Sequence, residues 1–132
     1  MSRKPKILIV DDKDMICEYS RSVLERTGKF EVSVSTDPVK GLELARKLVP
    51  DLVFLDLNMP GMDGGEIANK LAAEEATKHI PIVFLTALLR KSEETVMSTT
   101  GQERVYLAKP ISATELIEAA ETYCLKGTEE NA

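Results

Sequence analysis

The sequence predicts an α/β protein built on an open parallel sheet wound with helices on both faces. Short apolar runs alternate with longer amphipathic segments five times, and such alternation implies parallel strands joined by right-handed crossovers. Three of the runs are apolar at nearly every position, as strands read when both faces are covered by helices. With 132 residues the chain is expected to form one domain over 1–132, with its core at about 6–125.

The first strand is expected at Lys6-Ile7-Leu8-Ile9-Val10. A helix from about Asp14 to Thr27 follows, with Ile16, Tyr19 and Val23 on its inner face and Gly28 as its stop. Phe30-Glu31-Val32-Ser33-Val34 alternates, which suits an edge strand. Asp37-Pro38 reads as a cap with proline in the first helical turn. Val39, Leu42, Ala45 and Val49 then repeat at helical spacing up to Pro50. Leu52–Leu55 is the third strand. Asp63, with Glu66 three residues on, caps a helix carrying Ile67 and Leu71. Ile82–Leu85 is the fourth strand, and a helix is expected from Arg90 to Thr100, where only Val96 and Met97 are strongly apolar. Arg104–Ala108 is the fifth strand. Ser112-Ala113-Thr114-Glu115 is a capping box opening a last helix through Leu116, Ile117, Ala120 and Cys124, stopped by Gly127, with a tail at 127–132. The expected architecture is the flavodoxin-like (βα)5 fold, a five-stranded sheet of order 2-1-3-4-5.

Composition narrows the function. Seventeen basic and twenty-two acidic residues give a net charge of −5, which is not the footprint of a nucleic-acid binder. No apolar run reaches the ~18 residues of a membrane span, and the run behind the basic N-terminus is too short for a signal peptide. Cys17 and Cys124 form neither a disulfide framework nor a zinc pattern and read as small buried groups. The expected location is the cytoplasm. His79, the sole histidine, reads as a solvated loop residue.

In sheets of this kind ligands bind beyond the carboxyl ends of the strands. Those ends carry Asp11 and Asp12, Asp56, Thr86 followed by Ala87, and Lys109 followed by Pro110. Crowded carboxylates repel without a cation, and an all-oxygen donor set suits Mg²⁺. Asp56 is a candidate carboxylate nucleophile of the aspartyl-phosphate kind. Lys109 and the Thr86 hydroxyl can each meet a phosphoryl oxygen.

Asp11-Asp12, Asp56-Leu57-Asn58-Met59-Pro60-Gly61-Met62-Asp63-Gly64, Thr86-Ala87 and Lys109-Pro110, in this order, closely resemble the receiver domain of two-component response regulators. The resemblance covers about Lys6 to Leu125. It implies that Asp56 is the phosphoacceptor, fed by a sensor histidine kinase or phosphotransfer protein. It implies a Mg²⁺ site made by Asp11, Asp12, Asp56 and the Asn58 backbone carbonyl. It makes Thr86 and Tyr106 a switch pair acting on a surface of helix four, strand five and helix five, with a downstream target or output domain as reader. It also implies a cis Lys109–Pro110 bond. Ala87, Leu88 and Pro110 flank the phosphoryl site, and the apolar Leu88 is expected to shield it. Asp63-Gly64 reads only as loop and cap.

Nothing here points to direct nucleic-acid or membrane binding, and the expected state is a monomer or a phosphorylation-dependent dimer. The chain is expected to be a signalling module that assists its own phosphorylation rather than an enzyme acting on outside substrates. It could be free-standing, a relay, or a piece of a longer regulator. Among rivals, a flavodoxin-like electron carrier wants a Ser/Thr/Gly phosphate loop where Asp11–Asp14 stands. A nucleotide hydrolase wants a glycine-rich lysine loop. A Mg²⁺-dependent phosphatase of similar chemistry usually carries a second aspartate where Asn58 stands. The alternative closest in fold is a pseudo-receiver, an interaction module that never takes phosphate, and the intact acidic pocket argues against it.

Overall fold

The computed structural model describes residues 3–99 and 102–124. The expected tail at 127–132 and its stop at Gly127 lie outside these residues. The elements are β1 (Lys6–Val10), α1 (Asp14–Arg26), β2 (Glu31–Ser35), α2 (Pro38–Leu48), β3 (Leu52–Asp56), α3 (Gly64–Ala72), β4 (Ile82–Thr86), β5 (Thr95–Thr99), β6 (Gln102–Ala108) and α4 (Ala113–Cys124), with a single 3-10 turn at Lys91–Glu93. The sheet order is β2-β1-β3-β4-β6-β5. The pairings β2-β1-β3-β4-β6 are all parallel, so the expected order holds with β6 as the fifth parallel strand.

The fourth expected helix is absent among the described residues. Its place is taken by the 3-10 turn and by β5, which pairs antiparallel with β6 from Thr95↔Tyr106 to Thr99↔Gln102. Among the described residues, the expected (βα)5 sheet of five strands is thus a six-stranded mixed sheet with four α-helices. Thr95 and Val96 are β-branched, and such side chains lose rotamer freedom in a helix but fit a pleated surface. The segment also lacks the recurring apolar positions that would hold a helix against the sheet. The open edge of β6 gives its backbone groups partners instead.

Every residue of β3 and β4 is buried. Side-chain alternation splits the core in two. Ile7, Ile9, Phe54, Val83, Leu85 and Val105 pack under α1 and α4. Leu8, Val10, Val53, Leu55 and Phe84 pack under α2 and α3. Burying one such side chain contributes about 1.5–3 kcal/mol.

The helix starts follow their sequence signals. Asp37 Oδ1 accepts from the N–H groups of Val39 (2.8 Å) and Lys40 (3.2 Å), and Asp63 Oδ1 accepts from Glu66 N–H at 2.9 Å. The Ser112 hydroxyl accepts from Glu115 N–H at 3.1 Å while Glu115 accepts from Ser112 N–H at 3.0 Å. Two expectations shift. The buried face of α1 is Cys17, Ser20 and Leu24, with Val23 at its margin and Tyr19 46% exposed. Small side chains at 17 and 20 let the helix sit close to the sheet. Val39 and Val49 are exposed, and Val49 ends α2 in the left-handed conformation (φ 44°) rather than continuing its apolar stripe.

Candidate functional site

The parallel strands end on one rim, and the rim collects the expected groups. Asp11 follows β1, Asp56 ends β3, Thr86 ends β4 and Lys109 follows β6. Carboxylate oxygens of Asp11, Asp12 and Asp56 lie within 4.8 Å of one another. Asp11 and Asp56 are buried, at 1% and 4% exposure. Lys109 Nζ donates to Asp11 Oδ2 at 3.0 Å and stands 3.6 Å from Asp56 Oδ1. Two buried carboxylates therefore face the Lys109 ammonium, with the Asp12 carboxylate beside them.

Backbone groups hold these side chains in place. Lys13 N–H donates to Asp11 Oδ1 at 3.0 Å, and Asn58 N–H donates to Asp56 Oδ1 at 3.2 Å. The Thr86 hydroxyl oxygen accepts from Leu88 N–H at 3.1 Å and from the Asn58 amide at 3.2 Å. Lys109 N–H donates to Thr86 O at 2.9 Å, which ties the two strand ends together. The Lys109–Pro110 bond is cis.

Burial first, and then the charge of Asp11, push the Asp56 carboxyl above its ordinary range, against the pull of Asn58 N–H and Lys109. Asp12 Oδ1 is buried and takes no hydrogen bond among the described residues, although Lys13 Nζ stands 3.7 Å away. A buried oxygen without a hydrogen bond beside two more carboxylates fits a hard divalent cation.

The remaining expected residues lie around this pocket. Ala87, Leu88 and Pro110 are exposed at its border. Leu88 is 78% exposed, so in this conformation it does not cover the carboxylates. Tyr106 faces the α3 side and stacks on Phe84, with ring centroids 4.8 Å apart at 23°. The structure places it opposite Thr95 of β5 rather than against a fourth helix. A cavity of about 300 Å³, lined by Leu57, Thr86, Leu88, Leu89, Thr95 and Tyr106, joins Thr86 to Tyr106.

Cys17 and Cys124 are both buried, and burial holds their thiols protonated, at about 11 and about 12. They act as core groups, as expected. His79 is exposed.

Two contributors were not legible in the sequence. A Cβ on Gly64 would meet Asp56 O at 2.5 Å, so the bare glycine lets α3 start directly against the backbone that carries Asp56. Its place eight residues after Asp56 was the available signal, and it reads equally well as a loop. The other is Lys91, whose Nζ donates to Ala108 O (2.8 Å) and Pro110 O (3.1 Å), the carbonyls flanking Lys109. It also reaches the Glu115 carboxylate at 2.9 Å, and Glu94 accepts from Ala108 N–H at 2.9 Å. No local pattern announces these contacts, because they join segments far apart in the chain.

The chain matches the model of the response regulator receiver domain over residues 7–121. It is 32% identical over 117 residues to the polar-differentiation response regulator DivK of Brucella ovis, covering 89% of this chain and 94% of that protein. It is 36% identical over 113 residues to the DNA-binding dual master transcriptional regulator RpaA of Synechocystis, covering 86% of this chain and 46% of that protein. Among solved structures it resembles the receiver domain of a Francisella response regulator (TM-score 0.78, 25% identity, 94% of this chain and 99% of that one). It also resembles the Vibrio cholerae chemotaxis protein CheY4 (TM-score 0.77, 26% identity, 92% and 99%). With these likenesses spanning nearly the whole sequence, the chain belongs to the response regulator receiver domain family.

Proposed function

We propose that this receiver domain is switched by phosphorylation at Asp56, with a partner phosphohistidine as donor. The observation that carries the reading is the pocket itself: a buried carboxylate at a strand end, beside two more carboxylates and one ammonium, on the rim where β4 also ends in the Thr86 hydroxyl. An Asp56 oxygen attacks phosphorus, the P–N bond of the donor breaks, and the imidazole leaves with the electron pair. Lys109 releases its hold on Asp56 to meet a phosphoryl oxygen, and the Thr86 hydroxyl turns to donate to another. Asp11, Asp12, Asp56 and the Asn58 carbonyl are the groups that would hold Mg²⁺. When bound, that ion would offset the carboxylate repulsion and the charge of the phosphoryl group.

The donor, a sensor histidine kinase or phosphotransfer protein, docks beside the pocket. A cleft of about 490 Å³ between α1 and the Lys109–Ile111 segment, lined by Ile16, Tyr19 and Ile111, offers it an apolar seat. Met15, 85% exposed, extends the apolar surface of α1. Thr86 and Tyr106, joined by their shared cavity, form the switch that a downstream protein reads, and the protein works in the cytoplasm.

The test is incubation with Mg²⁺ and acetyl phosphate, followed by intact mass, with Asp56→Asn in parallel. One phosphoryl mass on the parent alone supports the reading. No addition to either, with Mg²⁺ binding shown separately, favours a pseudo-receiver that acts by binding only.

A further inference from the structure

Asn58 touches both halves of the pocket. Its backbone N–H donates to Asp56 Oδ1 at 3.2 Å, and its side-chain amide donates to Thr86 Oγ1 at 3.2 Å. Thr86 is 1% exposed, and its hydroxyl oxygen also accepts from Leu88 N–H at 3.1 Å. A hydroxyl has two acceptor positions and one proton. With both acceptor positions facing N–H donors, the proton is what Thr86 has left to give.

The two bonds differ in what they tie together. Leu88 lies two residues beyond Thr86 on the same loop, so its N–H travels with that loop. Asn58 lies 28 residues away, past the end of β3, which pairs with β4 as far as Asp56↔Leu85. Its amide fastens the Thr86 side chain to the neighbouring strand end, and that bond must break when the hydroxyl moves away. Asn58 is itself exposed, so water can take up the amide once it is released. The hold is therefore weak and reversible.

We infer that the Asn58 side chain is a positioning residue for the Thr86 hydroxyl: it latches the oxygen at rest, leaves the proton free for a phosphoryl oxygen, and lets go when the switch moves. The inference rests on the reading of Thr86 as a switch. It gives the Asn58 side chain a part that the metal site does not require, since only the backbone carbonyl is wanted there. The residue type matters: Asn58→Asp would turn a donor into an acceptor, which would compete with the phosphoryl oxygen for the Thr86 proton.

The test compares the parent with Asn58→Leu, Thr86→Val and the double variant, all checked for folding by circular dichroism. Leucine is close to asparagine in shape and donates nothing. In the unphosphorylated chain, three-bond couplings from the Thr86 methyl carbon to its own backbone nitrogen and carbonyl carbon report its rotamer. The parent should hold one rotamer, and Asn58→Leu should raise the ratio of a second by about fivefold, the bias that one neutral hydrogen bond imposes. In urea unfolding, Asn58→Leu should lower the folding equilibrium constant about fivefold in the parent background and less than about twofold in Thr86→Val. The Tyr106 amide resonance of the phosphorylated parent marks the switched state, and in unphosphorylated Asn58→Leu it should lie closer to that position. The inference is overturned if Asn58→Leu leaves the Thr86 rotamer as it is in the parent, if it costs the same with and without the Thr86 hydroxyl, or if the Tyr106 resonance does not move. A parent that takes no phosphoryl mass would refute the reading of Asp56, and the switch role with it, while the rotamer and unfolding readouts still decide the latch.

Discussion

Replacing Gly64 by alanine perturbs the contact on which Asp56 rests. The backbone at 64 is not in the left-handed region, so alanine meets no conformational barrier there and the effect is purely steric. Its Cβ would stand 2.5 Å from Asp56 O, 3.1 Å from Leu57 Cα and 3.2 Å from Asp56 C, all backbone atoms that no side-chain rotation can clear. Opening the first contact to 3.0 Å, the least that real Cβ atoms show, requires a displacement of 0.5 Å (3.0 − 2.5) between β3 and α3. Overpacking of this kind costs about 1–3 kcal/mol, and alanine in place of glycine in a helix returns less than about 1 kcal/mol at this terminal position. The net loss of about 1–2 kcal/mol corresponds to a fall in Tm of roughly 4–7 °C for a domain of this size. The displaced Asp56–Leu57 peptide would also carry the Asp56 carboxylate off its place beside Lys109, so acceptance of phosphate from acetyl phosphate should slow by about tenfold. Gly65→Ala is the control, because its Cβ meets only the Asp63 Oδ1 side-chain atom at 3.2 Å. Thermal unfolding followed by circular dichroism, with intact mass for phosphate uptake, reads both variants. Equal Tm values for Gly64→Ala and the parent would refute the steric argument.

Three further outcomes follow from the structure. The raised Asp56 carboxyl means the folded chain holds that proton more tightly than the unfolded one. Stability therefore falls as pH climbs from the ordinary aspartate value of 3.8 through the raised one. Asp56→Asn should thus be more stable than the parent in metal-free urea melts at pH 7, with the gain vanishing in acid below that window, and a less stable variant at pH 7 would contradict the repulsion described. Lys91→Met removes the donor to the carbonyls flanking Lys109 and should cost about 1 kcal/mol, since the ammonium is half exposed. Phosphate uptake should slow several-fold with Mg²⁺ affinity unchanged, and unaltered uptake would show that Lys109 is aimed without it. Val49→Gly relieves a β-branched residue held at φ 44° and, with Val49 45% exposed, gives up little burial. A gain of about 0.5–1 kcal/mol in urea unfolding is expected, and a loss would show that the left-handed turn is not strained.

The sequence by itself determined the parallel strands, the helix caps and the residues of the strand-end pocket. Each of these is a local matter. Short continuous apolar runs such as Leu52–Leu55, bounded by Pro50-Asp51 and Asp56, read as strands covered on both faces, and Asp37, Asp63 and Ser112 bond to N–H groups two or three residues away. Once the strands are parallel, Asp11, Asp56, Thr86 and Lys109 must share a rim. Only the tertiary structure decided the rest. Thr95–Thr99 has no helical stripe and no strand alternation strong enough to choose, and the vacant edge of β6 made the choice by supplying hydrogen-bond partners. The inner face of α1 turned by one residue because close packing on the sheet rewards the small Cys17 and Ser20 over the bulky Tyr19. Tyr106 found Phe84 across the β4–β6 pairing, Gly64 found the Asp56 carbonyl, and Lys91 found Ala108 and Pro110. Contacts between residues so far apart in sequence follow from how the elements pack, and no local pattern encodes them.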